Sequence, residues 1–164
     1  MLEVSHVSKK YGMQLVLDDI SLTLPQGEII AFIGANGAGK STLLNIMSRL
    51  LEKNGGKVLV DDKEVTDWKS ADLARNLSVL GQSNHFNIRL TIRELVSFGR
   101  FPYSQGKLTE EDEAIINQAL DYMGIGDIQN KMIDELSGGQ QQMAYIAMSI
   151  AQDTQYILID EPLK

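Results

Sequence analysis

Apolar and polar residues alternate along three early stretches of the chain. These stretches are residues 2–7, 15–24 and 57–65. Because successive side chains of a β-strand point to opposite faces, such alternation is typical of strands with one buried and one solvated face. Asp61 and Asp62, which are favoured turn residues, interrupt the third stretch. We therefore predict two half-buried antiparallel strands near the start of the chain, followed by a β-hairpin.

Three short runs are apolar without alternation. They are residues 28–33, Leu77–Leu80 and Tyr156–Ile159. Short apolar runs rich in Ile, Leu and Val are typical of strands that are buried on both faces. Helical patterns separate these runs along the chain, and strands that alternate with helices form parallel sheets. The sequence therefore predicts an α/β fold with a core of parallel strands.

Apolar residues spaced by three and four positions predict the first and last helices. One such stretch runs from Leu43 to Leu51 and places its apolar residues on one helical face. Residues 54–56, which include two glycines, predict a left-handed end for that helix. A second helical stretch follows Ser137 and continues to about Ala151.

Helix start signals dominate the region between these two helices. Thr91 with Glu94, and Thr109 with Asp112, match the capping box, although the second pair has Asp in place of the usual Glu. Such a pair satisfies two backbone amides at a helix start. We predict helices over this region as far as about Met123.

Composition excludes several classes of function. Of the 164 residues 43% are hydrophobic, which is enough to build a core, and the formal net charge of -7 argues against nucleic acid as a partner. The chain has no cysteine and only two histidines, so cysteine-bound metals, disulfides and multi-histidine metal sites are excluded. No apolar stretch approaches the ~20 residues of a membrane helix, and the start lacks a secretory signal. We expect a soluble, intracellular domain.

A glycine-rich loop follows the predicted strand at residues 28–33. It matches the Walker A pattern G-x-x-x-x-G-K-[ST] at every fixed position. Glycines let the backbone wrap closely around a phosphate, and amides of the loop and of the next helix point toward negative charge. We predict that Lys40 reaches the outer phosphates of a nucleotide and that the Ser41 hydroxyl binds Mg²⁺. The predicted nucleotide-binding residues of this loop are Gly34, Ala35, Asn36, Gly37, Ala38, Gly39, Lys40, Ser41 and Thr42.

Two carboxylates follow the last apolar strand. In open parallel sheets, ligands bind beyond the carboxyl ends of the strands, which is where Asp160 and Glu161 stand. We predict that Asp160 holds Mg²⁺, directly or through water. Glu161 would then be the general base that orients the water attacking the γ-phosphate.

A second glycine-rich motif resembles a known family. Leu136-Ser137-Gly138-Gly139-Gln140 matches all five positions of the signature of ATP-binding cassette (ABC) ATPases, and Asp160 follows it at the spacing that the family uses. A serine cap followed by two glycines opens a helix whose free amides form a second anion site. The resemblance implies that Ser137, Gly138, Gly139 and Gln140 bind the nucleotide held by a second copy of the ATPase.

The resemblance also implies a fold, domain boundaries and two further site residues. Tyr11 resembles the aromatic residue that stacks on adenine, and Gln82 resembles the glutamine that contacts Mg²⁺ and the attacking water. The implied fold is a P-loop NTPase core of ABC type with an N-terminal antiparallel β subdomain and an α-helical signature subdomain. Its parts are residues 1–82 with the β subdomain and Walker A, residues 83–152 with the signature, and residues 153–164 with the last strand.

The helical region narrows the resemblance to one group of transporters. Residues 88–95, 98–103 and 106–112 look like those of the ATPases of bacterial ferric-siderophore importers, although heme and cobalamin importers share much of this pattern. The aromatic and cationic side chains of residues 98–103 suit docking of a permease helix. They suit a place in the core equally well, so both interpretations stay open.

Three elements that the family carries after the last strand are not found in these 164 residues. Complete family members continue through a D-loop and a further strand to a histidine that contacts the γ-phosphate, yet no histidine follows His85. We expect the sequence to be a C-terminally truncated member of the family.

The leading hypothesis is an ATP-hydrolysing subunit that drives uptake of an iron-siderophore. The resemblance implies ATP and Mg²⁺ as cofactors. It implies integral membrane permease subunits, a second ATPase copy and, indirectly, a substrate-binding protein as partners. The implied location is the cytoplasmic, inner face of the cell membrane. Two alternatives stay open: a nucleotide-binding module with little or no turnover, and a soluble ABC ATPase without a transport role.

Overall fold

A computed structural model of the protein describes residues 1–81 and 89–160. The chain divides into two compact units, Met1–Leu73 and Ala74–Lys164. Each unit has its own secondary structure and its own buried side chains. The three-part division expected from the family resemblance stays a prediction.

The first unit is built on a four-stranded antiparallel sheet, and it confirms the strands predicted from alternation. Along the chain the strands are β1 (Leu2–Tyr11), β2 (Gln14–Leu24), β3 (Gly55–Val60) and β4 (Lys63–Glu64). Their order in the sheet is β2-β1-β3-β4. Asp61 and Asp62 form the turn between β3 and β4 with φ angles of 49° and 64°, as two-residue hairpins require.

One side of the sheet and the first helix form the core of this unit. The helical elements are α1 (Lys40–Met47), a 3-10 turn (Val65–Asp67) and the beginning of α2 (Ser70–Asn76). The buried apolar residues are Leu2, Val4, Val7, Leu17, Leu24, Leu43, Leu44, Ile46, Met47, Val58, Val60, Val65 and Leu73. The apolar faces that the sequence pattern predicts for the strands and for α1 are thus buried.

The first helix is shorter than the sequence predicts. It ends at Met47, and Arg49 takes a left-handed φ of 61°. The Arg49 guanidinium donates hydrogen bonds to the carbonyl oxygens of Val65, at 3.1 Å, and Trp68, at 2.6 Å, and these bonds hold the chain where it leaves the helix. The predicted helix end at residues 54–56 is therefore wrong.

Residues 28–33 form no strand, contrary to the prediction. Ile29 and Ile33 are fully exposed, at 103% and 95%. A strand is held by hydrogen bonds to a neighbouring strand, and within the described residues neither sheet includes this segment. An apolar run has a high propensity for a β-strand, but it forms a strand only where another strand pairs with it.

The second unit contains a helical cluster. Its helices are α3 (Ile92–Ser97), α4 (Phe101–Ser104), α5 (Glu110–Tyr122) and α6 (Gly138–Ala151). Both predicted capping boxes are confirmed, because Thr91 and Glu94 cap α3 and Thr109 and Asp112 cap α5. Buried side chains from α3, α5 and α6 pack together as its core, including Leu95, Ile116, Leu120, Ala144 and Ala147. Within the described ranges no helix is both long and apolar enough to cross a membrane.

Two parallel strands complete this unit. They are β5 (Leu77–Leu80) and β6 (Tyr156–Ile159), and their pairing runs from Leu77 opposite Tyr156 to Leu80 opposite Ile159. Both strands have the bounds that the sequence predicts. Their parallel pairing confirms the predicted α/β character of this part of the chain.

Candidate functional site

The glycine-rich loop leads directly into α1. Gly37 and Gly39 have φ angles of 80° and 90°, which L side chains rarely adopt. A Cβ built on Gly39 would lie 2.8 Å from a Leu17 methyl group and 3.1 Å from the Val16 carbonyl oxygen. Nothing lies within 4 Å of a Cβ built on Gly37. The loop therefore needs glycine at both positions, and β2 supports it from one side at Gly39.

Lys40 is the first residue of α1, and its side chain lies back across the loop. Its Nζ donates hydrogen bonds to the carbonyl oxygens of Gly34, at 2.8 Å, and Ala35, at 3.0 Å. The ammonium group is thus held beside the loop backbone. Ser41 and Thr42 follow in the first turn of the helix.

These features are those of a phosphate-binding loop. Free amides at a helix start carry partial positive charge, and Lys40 adds a full one. The Ser41 hydroxyl is a hard oxygen of the kind that Mg²⁺ prefers. Among the described residues no group of three or more His, Cys, Asp or Glu is placed to hold a metal.

Tyr11 stands at the end of β1, where the hairpin to β2 begins. Its backbone pairs with Gln14, and its side chain is 49% exposed. The Nζ of Lys9 lies 5.3 Å from the centre of the ring. The ring therefore presents an open aromatic surface in the same unit as the loop.

The signature motif forms the start of α6. Ser137 is the helix cap: its hydroxyl accepts a hydrogen bond from the Gln140 amide, and the Gln140 side chain accepts one from the Ser137 amide. Cβ atoms built on Gly138 and Gly139 would meet nothing within 4 Å. The first amides of a 14-residue helix are thus exposed beside two residues without side chains, as an anion site requires.

Gln141, the residue directly after the signature, makes hydrogen bonds to the segment before Ser137. The sequence patterns did not indicate these hydrogen bonds. Its Nε2 donates hydrogen bonds to the carbonyl oxygens of Ile133, at 3.0 Å, and Leu136, at 3.4 Å. The side chain therefore ties the segment before Ser137 to α6. A lone glutamine on a helix carries no pattern from which this contact is predictable.

Asp160 directly follows β6. Its backbone amide donates to the carbonyl oxygen of Leu80 at 2.9 Å, so the pairing of β5 and β6 continues up to this residue. Asp160 therefore stands at the carboxyl end of a parallel pair, as predicted. The other two residues assigned a role in hydrolysis, Gln82 and Glu161, lie outside the described residues.

Arg100, within residues 98–103, forms a buried ion pair with Asp112 of α5 that the sequence patterns did not indicate. Arg100 and Asp112 are 4% and 3% exposed, and the Arg100 Nε donates to an Asp112 carboxylate oxygen at 2.8 Å. Arg100 also donates to the carbonyl oxygen of Ala151 at 3.0 Å and stacks on the Tyr103 ring at 4.0 Å. Hydrogen bonds from Thr109 and Arg100 lower the pKa of Asp112 below its ordinary value. Arg100 thus belongs to the interior, and Tyr103 is half-buried beside it.

The two phenylalanines of the same segment are exposed, Phe98 at 47% and Phe101 at 58%. Burial of its phenolic ring raises the pKa of Tyr103. Residues 98–103 therefore have one buried cation and two exposed aromatic rings, and docking of a permease helix on these rings stays a prediction.

The family model described as ABC transporter matches residues 17–164, which is most of the chain and includes both glycine-rich motifs. The chain belongs to the ABC transporter family. This membership agrees with the loop before α1, the signature at the start of α6 and the aspartate after β6.

Two relatives of this chain are named as petrobactin import ATP-binding proteins. The petrobactin import ATP-binding protein YclP of Bacillus subtilis (strain 168) is 60% identical over 163 residues. The petrobactin import ATP-binding protein FatE of Bacillus anthracis is 46% identical over 163 residues. Each match covers 99% of this chain and 65% of the relative, so the chain spans about two thirds of their length.

A solved structure of this family has the same fold. The dimeric structure of MJ0796, a bacterial ABC transporter cassette, superimposes with a TM-score of 0.84 at 29% sequence identity. The match covers 99% of this chain and 74% of that one. The fold is therefore that of an ABC ATPase cassette, as the resemblance implied.

Proposed function

We propose that this chain is the ATP-binding and ATP-hydrolysing part of an importer subunit, and that the importer takes up an iron-siderophore. The observation that carries the ATP site is the loop before α1, with Gly37 and Gly39 in left-handed conformations and Lys40 held beside it. The 60% identity to a petrobactin import protein supports the choice of cargo.

Each residue of the proposed site would have its own role in binding or hydrolysing the triphosphate. The amides of the loop bind phosphate oxygens, and Lys40 exchanges its carbonyl partners for the β- and γ-phosphates. Ser41 and Asp160 supply oxygen ligands for Mg²⁺, with Gln82 as a further contact. Bound Mg²⁺ would neutralise phosphate charge. Glu161 accepts a proton from the attacking water, and Tyr11 stacks on the adenine.

A second copy of the chain is part of this proposal. One nucleotide needs one phosphate-binding loop, so the exposed amides at the start of α6 are available to another nucleotide. Ser137, Gly138, Gly139 and Gln140 would bind the γ-phosphate held by the partner. The dimeric cassette that shares this fold supports the arrangement.

The remaining partners would be an integral membrane permease and, through it, a substrate-binding protein. Phe98 and Phe101 present two exposed aromatic rings on a turn that the Arg100–Asp112 pair anchors, and this is the surface on which we place a permease helix. The protein would then lie on the inner face of the cell membrane. The net charge of -7 is unfavourable for binding nucleic acid.

The test of the ATP site measures ATP affinity by calorimetry and turnover by phosphate release. Lys40→Ala should weaken ATP binding by about 10- to 100-fold, because a hydrogen bond between charged groups contributes about 1.5–3 kcal/mol. Lys57→Ala, which removes an exposed lysine of β3, is the matched control. Equal ATP affinities of the two variants would refute the assignment of the loop.

The test of hydrolysis uses Glu161→Gln. A general base contributes about 10²–10⁴-fold to a rate, so turnover should fall by at least about 100-fold while ATP still binds. If the unaltered chain binds ATP without turnover, the alternative of a nucleotide-binding module replaces the enzyme. Unchanged turnover in Glu161→Gln would remove Glu161 from the mechanism.

A further inference from the structure

Lys9 lies over one face of the Tyr11 ring. Its Nζ is 5.3 Å from the ring centre and donates a hydrogen bond to the carbonyl oxygen of Glu52 at 2.5 Å. The second contact fixes the ammonium group, because it ties β1 to the segment that follows α1. Lys9 is also partly buried, whereas the neighbouring Lys10 is exposed.

The fixed ammonium group leaves one face of the ring available. A cation over an aromatic ring is attracted to the negative π-cloud and draws electron density toward itself. The opposite face of the ring then carries less negative charge. Two stacked π-systems repel each other through their faces, so a ring polarised in this way stacks better on an electron-rich purine.

The open ring stands near the phosphate-binding loop along β2. Tyr11 pairs with Gln14, and the backbone of Val16 lies against Gly39. Two residues of strand, about 7 Å, separate these two positions on β2. The ribose of a nucleotide can span such a gap, so a base on the ring and phosphates in the loop belong to one ligand.

We propose that Lys9 is a positioning residue for the base of the bound nucleotide. It holds the Tyr11 ring in place, occupies one of its faces and polarises the other, on which the purine of a nucleoside triphosphate stacks. This inference rests on the proposed ATP site and adds a residue to it that acts only through Tyr11.

The experiment compares a ligand that has a base with one that has none. Affinities for Mg-ATP and for Mg-tripolyphosphate are measured by calorimetry in Lys9→Met and in Lys10→Met, which removes the same charge one position along. A cation–π contact at an exposed site is worth about two- to five-fold in affinity. Lys9→Met should therefore weaken ATP binding by about two- to five-fold more than Lys10→Met does. The change in tripolyphosphate affinity should be equal in the two variants. Lys9→Arg should retain the ATP affinity.

A double-mutant cycle separates positioning from a general effect on the fold. In a Tyr11→Leu background, Lys9→Met should have no further effect on ATP affinity, because the ring through which it acts is absent. Equal losses for ATP and tripolyphosphate, or a full Lys9→Met effect without the ring, would overturn the inference while leaving the ATP site intact. Failure of the unaltered chain to bind either ligand would overturn the proposed function and this inference together.

Discussion

Gly37 and Gly39 share a left-handed conformation but have different surroundings. Both φ angles lie near 80–90°, where a side chain is strained. Gly37 has open space where a Cβ would stand, whereas Gly39 is pressed against Val16 and Leu17. Glycine is therefore required at these two positions of the loop for different physical reasons.

These reasons predict different costs for the same substitution. Gly37→Ala should lower the free energy of unfolding by about 1–2 kcal/mol, through backbone strain alone. Gly39→Ala should cost about 1–3 kcal/mol more, because the new methyl group must displace β2. Urea unfolding of both variants measures the difference, and equal stabilities would show that β2 does not support the loop.

Residue patterns predict the site in part. The Walker A residues, the signature and the two capping boxes follow from residue type and spacing within one short segment, and the structure has each of these local geometries. Lys9 over Tyr11 and Arg100 against Asp112 are different, because both depend on contacts across space that no short spacing encodes. The pattern of residues 98–103 suits the surface and the core equally, so it does not predict that Arg100 is buried.

The Arg100–Asp112 pair joins three elements of the second unit. Arg100 follows α3 in a 3-10 turn, Asp112 lies in the first turn of α5, and the Ala151 carbonyl oxygen ends α6. Gly99 allows this approach, since a Cβ there would lie 2.3 Å from the Met148 carbonyl oxygen. One ion pair therefore fixes the start of one helix and the end of another.

Removing one partner leaves a buried charge without compensation. Arg100→Met should lower the free energy of unfolding by about 3–5 kcal/mol. Arg89→Met is the control, because its ion pair with Asp134 is 3.5 Å long and exposed, and such pairs contribute at most about 1 kcal/mol. Thermal unfolding that affects both variants equally would contradict the structural role of the buried pair.

The same pair predicts a dependence of stability on pH. The pKa of Asp112 is lower in the folded protein than its ordinary value of 3.8, so the folded state prefers the charged carboxylate. Its stabilising contribution is complete above the ordinary pKa and is lost as the pH falls through the lowered folded pKa. Urea midpoints measured from pH 7 to pH 2 should fall less steeply in Asp112→Asn than in the unaltered protein. Parallel curves would contradict this contribution.

Most elements were predicted from their patterns, including β5 and β6, which pair with each other although they are far apart in sequence. The hairpins of the first sheet and the capped helices are local, and their patterns predicted them. Residues 28–33 carry an equally apolar pattern but form no strand, because strand formation depends on hydrogen bonds from another segment. The pattern reports the propensity of a segment and not the presence of its neighbour.

At the scale of the whole molecule, the two candidate anion sites belong to different compact units. The phosphate-binding loop lies in the first unit, and the signature at the start of α6 lies in the second. A nucleotide shared by the loop of one copy and the signature of another would hold two copies together. The proposed function therefore requires association that depends on ATP, despite the repulsion between two chains of charge -7.

Ser137→Arg tests this association directly. The long side chain would cover the exposed amides beside Gly138 and Gly139, so sedimentation with a non-hydrolysable ATP analogue should show a dimer for the unaltered chain and a monomer for the variant. Binding of the analogue by the monomer should persist, because the loop is unchanged. Ser137→Ala removes the hydroxyl that caps the helix, at a cost of about 1 kcal/mol, but leaves the amides uncovered, so it controls for local stability and for loss of the hydroxyl.

Tyr122→Arg adds the same charge at an exposed position of α5 and controls for net charge. A dimer that forms in both controls but not in Ser137→Arg would identify the start of α6 as the surface that meets the second nucleotide. A dimer that persists in Ser137→Arg would mean that two copies associate elsewhere. The exposed amides of α6 would then have no place in the ATP-dependent contact, and the second copy would have to be removed from the proposed mechanism.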